Sequence, residues 1–168
     1  VIKKLKHIVL FLTSLALAAC SGGYSFTGGS VGEAKTLRVS YFPNRAAVVN
    51  PSLSNQFSEA LKDRFLQQSS LKLSNDAADL EFEGHITNYR ITPQAIQGNE
   101  TAALNRLTIS VNVKFINRID ETKNFESSFS RFSDYSSTES LTSVENQLVD
   151  DILEQLTEDI FNRALVNW

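Results

Sequence analysis

Cysteine is nearly absent from this chain: of 168 residues only Cys20 carries a thiol. No disulfide can form within one chain, so the fold must hold by burial alone. Histidine is as scarce, with His7 and His85. No paired-histidine metal motif, phosphate-binding glycine loop or Gly-x-Ser-x-Gly elbow occurs. No metal, no cofactor and no enzymatic activity are expected. Basic charge is also short, at 16 Lys and Arg against 19 Asp and Glu. Phosphate recognition wants a basic face, which argues against nucleic acid as a partner. The apolar run Ile8 to Leu17 falls short of the ~20 residues of a spanning helix.

What is present begins with an ordered leader. Lys3, Lys4 and Lys6 precede the apolar run, and the small residues Ala18 and Ala19 follow it up to Cys20. Charge, apolar run and small-residue cleavage site make a secretory signal peptide over residues 1–19. Leu17-Ala18-Ala19-Cys20 resembles a bacterial lipobox, which implies cleavage before Cys20 and lipid on that residue. A lone thiol in an exported chain has no disulfide partner, which agrees. The alternative is an ordinary signal peptide followed by a free cysteine.

Loss of the leader leaves 13 basic and 19 acidic residues, a net charge of −6. Ser21 to Lys35 contains five glycines and reads, with Cys20, as a lipidated tether over 20–35. Fully extended it reaches about 50 Å. Tyr24 and Phe26 exceed what a linker needs and would suit docking on the domain or the membrane surface, but a plain linker is the preferred reading. Residues 36–168 are expected to form one domain.

Within it, Leu37, Val39 and Tyr41 alternate with polar residues as in a half-buried strand, ended by Pro43. Asn50-Pro51 reads as a helix N-cap followed by proline at the first helical position. Leu53, Phe57, Leu61 and Phe65 follow at i+4 spacing, an amphipathic helix to about Gln68. Leu80, Phe82, Gly84 and Ile86 form one face of a second strand, with Glu81, Glu83 and His85 on the other, facing water or a partner. Gly84 marks either a bulge or a close backbone approach. Pro93 to Ala103 reads as a long hairpin loop. Its Asn99-Glu100-Thr101 sequon is discounted because the lipobox implies a bacterium.

Leu107 to Phe115 alternates cleanly. Phe125, Ser127 and Phe129 begin a fourth strand, and the jump to Phe132 predicts a bulge. Thr142 and Glu145 fit a capping box opening a final helix with Leu148, Ile152, Leu156 and Ile160 on its stripe. From Glu139 onward seven acidic residues meet one basic, so the stripe is expected to face a core, not a membrane surface. The fold class is α+β, in the order β-α-β-β-β-α. Two helices on one face of a four-stranded, mostly antiparallel sheet would bury every stripe.

Several runs carry a family resemblance: Leu17-Ala18-Ala19-Cys20, Gly22-Gly23-Tyr24-Ser25-Phe26, Val39-Ser40-Tyr41-Phe42-Pro43-Asn44, Leu80-Glu81-Phe82-Glu83-Gly84, Gly98-Asn99-Glu100-Thr101-Ala102-Ala103 and Asp159-Ile160-Phe161-Asn162-Arg163. With the element order, they resemble the LptE lipopolysaccharide-assembly lipoproteins over essentially the whole mature chain. The resemblance implies a lipid-anchored protein at the inner leaflet of the outer membrane that plugs a β-barrel partner, LptD, and helps deliver lipopolysaccharide to the outer leaflet. Ser21 after the cysteine, with no acidic run behind it, resembles outer-membrane lipoproteins that face the periplasm.

Lipopolysaccharide phosphates would want cations. Arg38, Arg90 and Arg106, on or beside strands, are the candidate contacts, because the last helix is acidic; the preferred alternative for each is an ordinary surface arginine. Two other readings stay open: a periplasmic lipid or glycolipid carrier, and a pilot lipoprotein for another outer-membrane pore.

Overall fold

The structure is a computed structural model and describes residues 31–94 and 103–166. The signal peptide, Cys20 and most of the tether lie outside the described residues, as do residues 95–102 of the expected hairpin loop.

The chain enters at Val31, which packs against the core beside the buried Ala34. The Asp79 carboxylate accepts the backbone N–H groups of Lys35 and Thr36 and the Thr36 hydroxyl, at 2.8–2.9 Å. These bonds hold its carboxyl below the ordinary carboxylate range. The last residues of the expected tether are therefore docked on the domain.

Strand β1 (Thr36–Val39) leads through helix α1 (Leu53–Gln68) to the two-residue β2 (Lys72–Leu73). Long strands β3 (Leu80–Gln94), β4 (Leu104–Asn117) and β5 (Phe125–Ser136) follow, then helix α2 (Leu141–Leu165). The expected α+β order holds, with β2 as a fifth strand too short to leave a periodic signal. The sheet is mixed, in spatial order β2-β1-β3-β4-β5. β1 runs parallel to β2 and β3, with α1 as the crossover that parallel neighbours require, and β3, β4 and β5 are antiparallel.

Both helices bury their stripes against one sheet face. Leu53, Phe57, Leu61 and Phe65 of α1 are fully buried, as are Ile152, Leu156 and Ile160 of α2. Phenylalanine rings join the layers: Phe65 contacts Phe82 at 4.6 Å and Phe161 at 5.1 Å, and Phe82 contacts Phe115 at 4.8 Å. Ring pairs at these distances stabilise beyond the area they bury.

Local chemistry departs from expectation at three points. The Asn50 side chain accepts from Ser52 in a turn ahead of α1, whose N-cap position is Ser52. Glu145 does not close a capping box on Thr142; α2 starts at Leu141 after Ser140. The irregularity in the long strands falls at Thr87 in β3, between Ile86 and Asn88, while β5 pairs with β4 without a shift. Phe132 breaks the alternation of β5 because its ring belongs to the other face, under the Arg106 guanidinium at 3.6 Å.

Gly84 resolves as a close approach. A Cβ there would lie 2.0 Å from the Asn112 carbonyl oxygen and 2.6 Å from the Phe42 ring. The expected motif Val39 to Asn44 owes its pattern to this packing: Phe42 is fully buried, edge-on to Phe57 at 5.0 Å.

Candidate functional site: the open face of the sheet

The helices leave the second sheet face uncovered. Period-two alternation puts Glu81, Glu83, His85, Asn88, Arg90 and Thr92 of β3 there. Opposite them in register stand Arg106, Thr108, Ser110, Asn112 and Lys114 of β4, then Glu126, Ser128, Ser130, Phe132 and Asp134 of β5. Seven of these sixteen are Ser, Thr or Asn and seven are charged, and Ser110 and Ser130 share a 2.9 Å hydrogen bond across strands. His85, opposite Asn112, is half-buried. Among the described residues no His, Cys, Asp and Glu cluster could hold a metal ion.

Charge on this face is organised at its two ends. At one end Glu81 is 1 % exposed, although it sits on the polar face. Arg38 donates to one of its oxygens at 2.5 Å and Arg118 to the other at 2.9 Å, with the Ala78 N–H adding a third bond at 3.1 Å. Burial works against the anion, but the hydrogen bonds from Arg118 and Arg38 outweigh it and lower the Glu81 carboxyl to about 2. Arg38 also reaches Glu83 at 3.3 Å, and its Nε is buried. The sequence placed Glu81 on the correct face, facing water or a partner, whereas the structure buries it among arginines. Arg118, which buries it, carried no periodic signal, because it lies just past β4.

At the other end Arg106 makes a bidentate pair with Asp134 through two 2.7 Å bonds and stacks on Phe132. Arg90 lies opposite Thr108, so it is a diagonal neighbour of Arg106. It has no carboxylate partner among the described residues. A hollow of about 280 Å³ beside it is lined by Ala47, Val48, Asn88, Tyr89 and Ile91. The three candidate arginines therefore do not converge. Arg90 and Arg106 share one end, while Arg38, paired at the level of Glu81 and Ile116, lies about 25 Å away along the strands.

Sequence reasoning also missed a clasp behind this face. The Tyr89 hydroxyl and the Asn50 amide both donate to Glu145 Oε1, at 2.5 and 2.8 Å. They tie β3 and the loop before α1 to the start of α2. Burial first, and then the Glu145 carboxylate, push the Tyr89 phenol far above its ordinary value, so it stays a donor.

Likeness to solved structures is confined to fold. Protein XCC0632 from Xanthomonas campestris is 12% identical, with 82% of this chain and 87% of that one covered and a TM-score of 0.53. The hypothetical protein CT253 from Chlamydia trachomatis is 10% identical over 80% of this chain and 99% of that one, at a TM-score of 0.49. A minor lipoprotein from Acinetobacter baumannii is 16% identical over 77% and 91%, at 0.47. Among curated proteins none matches the chain significantly. The model of the LptE lipopolysaccharide-assembly family matches residues 34–164, from the buried Ala34 through nearly all of α2. The chain belongs to the LptE lipopolysaccharide-assembly family.

Proposed function

We propose that this chain is anchored by lipid on Cys20 to the outer membrane, faces the periplasm, and partners the LptD-like β-barrel of lipopolysaccharide export as a plug and assembly factor. The observation that carries the reading is the polar sheet face that the helices leave open, with Asn88, Ser110, Asn112, Ser128 and Ser130 across its middle and charged residues toward its ends, which matches the polar lining of a barrel lumen. A tethered anchor supports it further, because confinement near the barrel raises the effective concentration of the domain there.

Direct contact with lipopolysaccharide falls, in this reading, to Arg90. Its guanidinium is free of carboxylates among the described residues, and Val48 and Ile91 put apolar surface beside it. Arg106 is its neighbour, and Arg38 is left to the Glu81 cluster. The carrier reading is less well supported, because the space between helices and sheet is filled by phenylalanine rings in mutual contact. The groove between the helices, about 470 Å³, is lined by polar residues such as Gln56, Glu59, Asp63 and Asp150. An acyl chain gains little there.

The test is affinity capture of the tagged, lipidated protein from detergent-solubilised outer membranes, with bound chains identified by mass spectrometry. A stoichiometric barrel of the lipopolysaccharide-export type is the expected result. A secretin in its place would support the pilot reading, and lipid without a barrel the carrier.

A further inference from the structure

Among the described residues β5 forms one edge of the sheet, and its outer backbone is unpaired. The Ser137 N–H donates to the Ala103 carbonyl at 3.0 Å, and the register continues unbroken from Leu104↔Ser136 to Phe115↔Phe125. In an antiparallel ladder the bonded pairs recur every second residue. Odd-numbered residues of β5 therefore bond to β4, and Glu126, Ser128, Ser130, Phe132 and Asp134 turn their N–H and C=O groups outward. All five side chains are exposed.

Long edges are normally blunted by proline, lysine, a bulge or an inward charge. β5 contains no proline or lysine and no bulge. Besides Glu126 its two charged residues, Arg131 and Asp134, would serve as guards, but both are drawn off the edge. Arg131 is held by Asp159 of α2 through two 2.6 Å bonds, and Asp134 is held by Arg106. The opposite edge, β2, offers only two residues.

We infer that the β5 edge is a docking site for an extended strand of another polypeptide, which adds to the sheet by main-chain hydrogen bonds. The side chains specify that strand on the face it would share with the open face. A basic residue suits Glu126, hydroxyl residues suit Ser128 and Ser130, and an apolar one suits the 47 % exposed Phe132. A second copy of this chain is a poor occupant. Antiparallel self-pairing centred on Ser130 would set Glu126 opposite Asp134, acid against acid. The site goes beyond the barrel reading: the strand contacts an edge, not the face proposed to meet the lumen, and barrel capture can succeed while this inference fails.

The experiment follows single-amide hydrogen exchange of the full chain with and without a synthetic peptide, Val-Glu-Thr-Val-Thr-Thr-Arg, which places those residues antiparallel to 126–132. In the chain alone the amides of residues 126, 128, 130, 132 and 134 should exchange fast and their odd-numbered neighbours slowly. At about 1 mM peptide the outward amides should slow by roughly tenfold. Ser128→Pro removes an outward donor while sparing the ladder to β4 and should abolish the effect; Ser128→Thr should retain it. Unchanged outward amides with peptide, or the same slowing in Ser128→Pro, would overturn the inference. Protection in the chain alone that fades on dilution would overturn it in favour of a second copy.

Discussion

Glu81 shows how a single carboxylate can anchor one end of a polar face. It is buried between Arg38 and Arg118, which both reach water, so deleting an arginine strips a partner from a buried anion, whereas deleting Glu81 leaves solvated cations. Arg38→Ala should therefore cost more in denaturant unfolding than Glu81→Ala, which loses charge-assisted hydrogen bonds of about 1.5–3 kcal/mol. Because the folded value of Glu81 is depressed, to about 2 from 4.5, its stabilisation is complete above about pH 5 and is lost as pH falls through 2. Asp79 and Asp134 are shifted in the same direction, so they add to an acid-side loss. A pH series of unfolding midpoints should show that slope in the wild type and a shallower one in Glu81→Gln. At Gly84 the obstacle is the Asn112 backbone, which cannot swing aside. Gly84→Ala should exceed the roughly 1–3 kcal/mol usual for overpacking. Arg90→Glu should weaken lipopolysaccharide binding in a vesicle or detergent assay with little change in stability, whereas Arg38→Glu should mainly destabilise.

Among the elements, both helices and the four long or patterned strands were legible in the sequence, because each repeats a burial period over several residues. The clearest were the stripe Leu53, Phe57, Leu61 and Phe65 and the alternation Leu107, Ile109, Val111, Val113 and Phe115, all of which are fully buried. What could not be read depends on partners distant in the chain. Lys72–Leu73 has no period to show, and only its pairing with β1 makes it a strand. Phe132 looked like a register slip, because a sequence does not reveal that Arg106 waits across the strand. Glu145 matched a capping pattern, yet Tyr89 and Asn50, far away in sequence, claim its carboxylate. For the candidate site the face was legible and its grouping was not, since two arginines meet only through the β3–β4 register. The link between β5 and α2 offers a check at this scale. A double-mutant cycle on Arg131 and Asp159, both partly exposed, should give a coupling of about 1 kcal/mol or less that shrinks in salt.

Taken whole, the molecule is a one-sided sandwich. Among the described residues, helices and rings fill one side of the sheet, and the other is left polar, uncovered and edged by an open strand. No helix among the described residues is long and apolar enough to cross a membrane. The proposed function assigns membrane attachment to lipid on Cys20, and Cys20→Ala should move the protein from the membrane to the soluble fraction. The most direct test of the central claim is capture from detergent-solubilised outer membranes with the lipidated wild type beside a variant carrying Ser110→Arg and Asn112→Arg in the middle of the open face. The account predicts a stoichiometric lipopolysaccharide-export barrel with the wild type and its loss with the variant, whose circular dichroism should be unchanged. Equal recovery of the barrel by both proteins, or no barrel with the wild type, would contradict it.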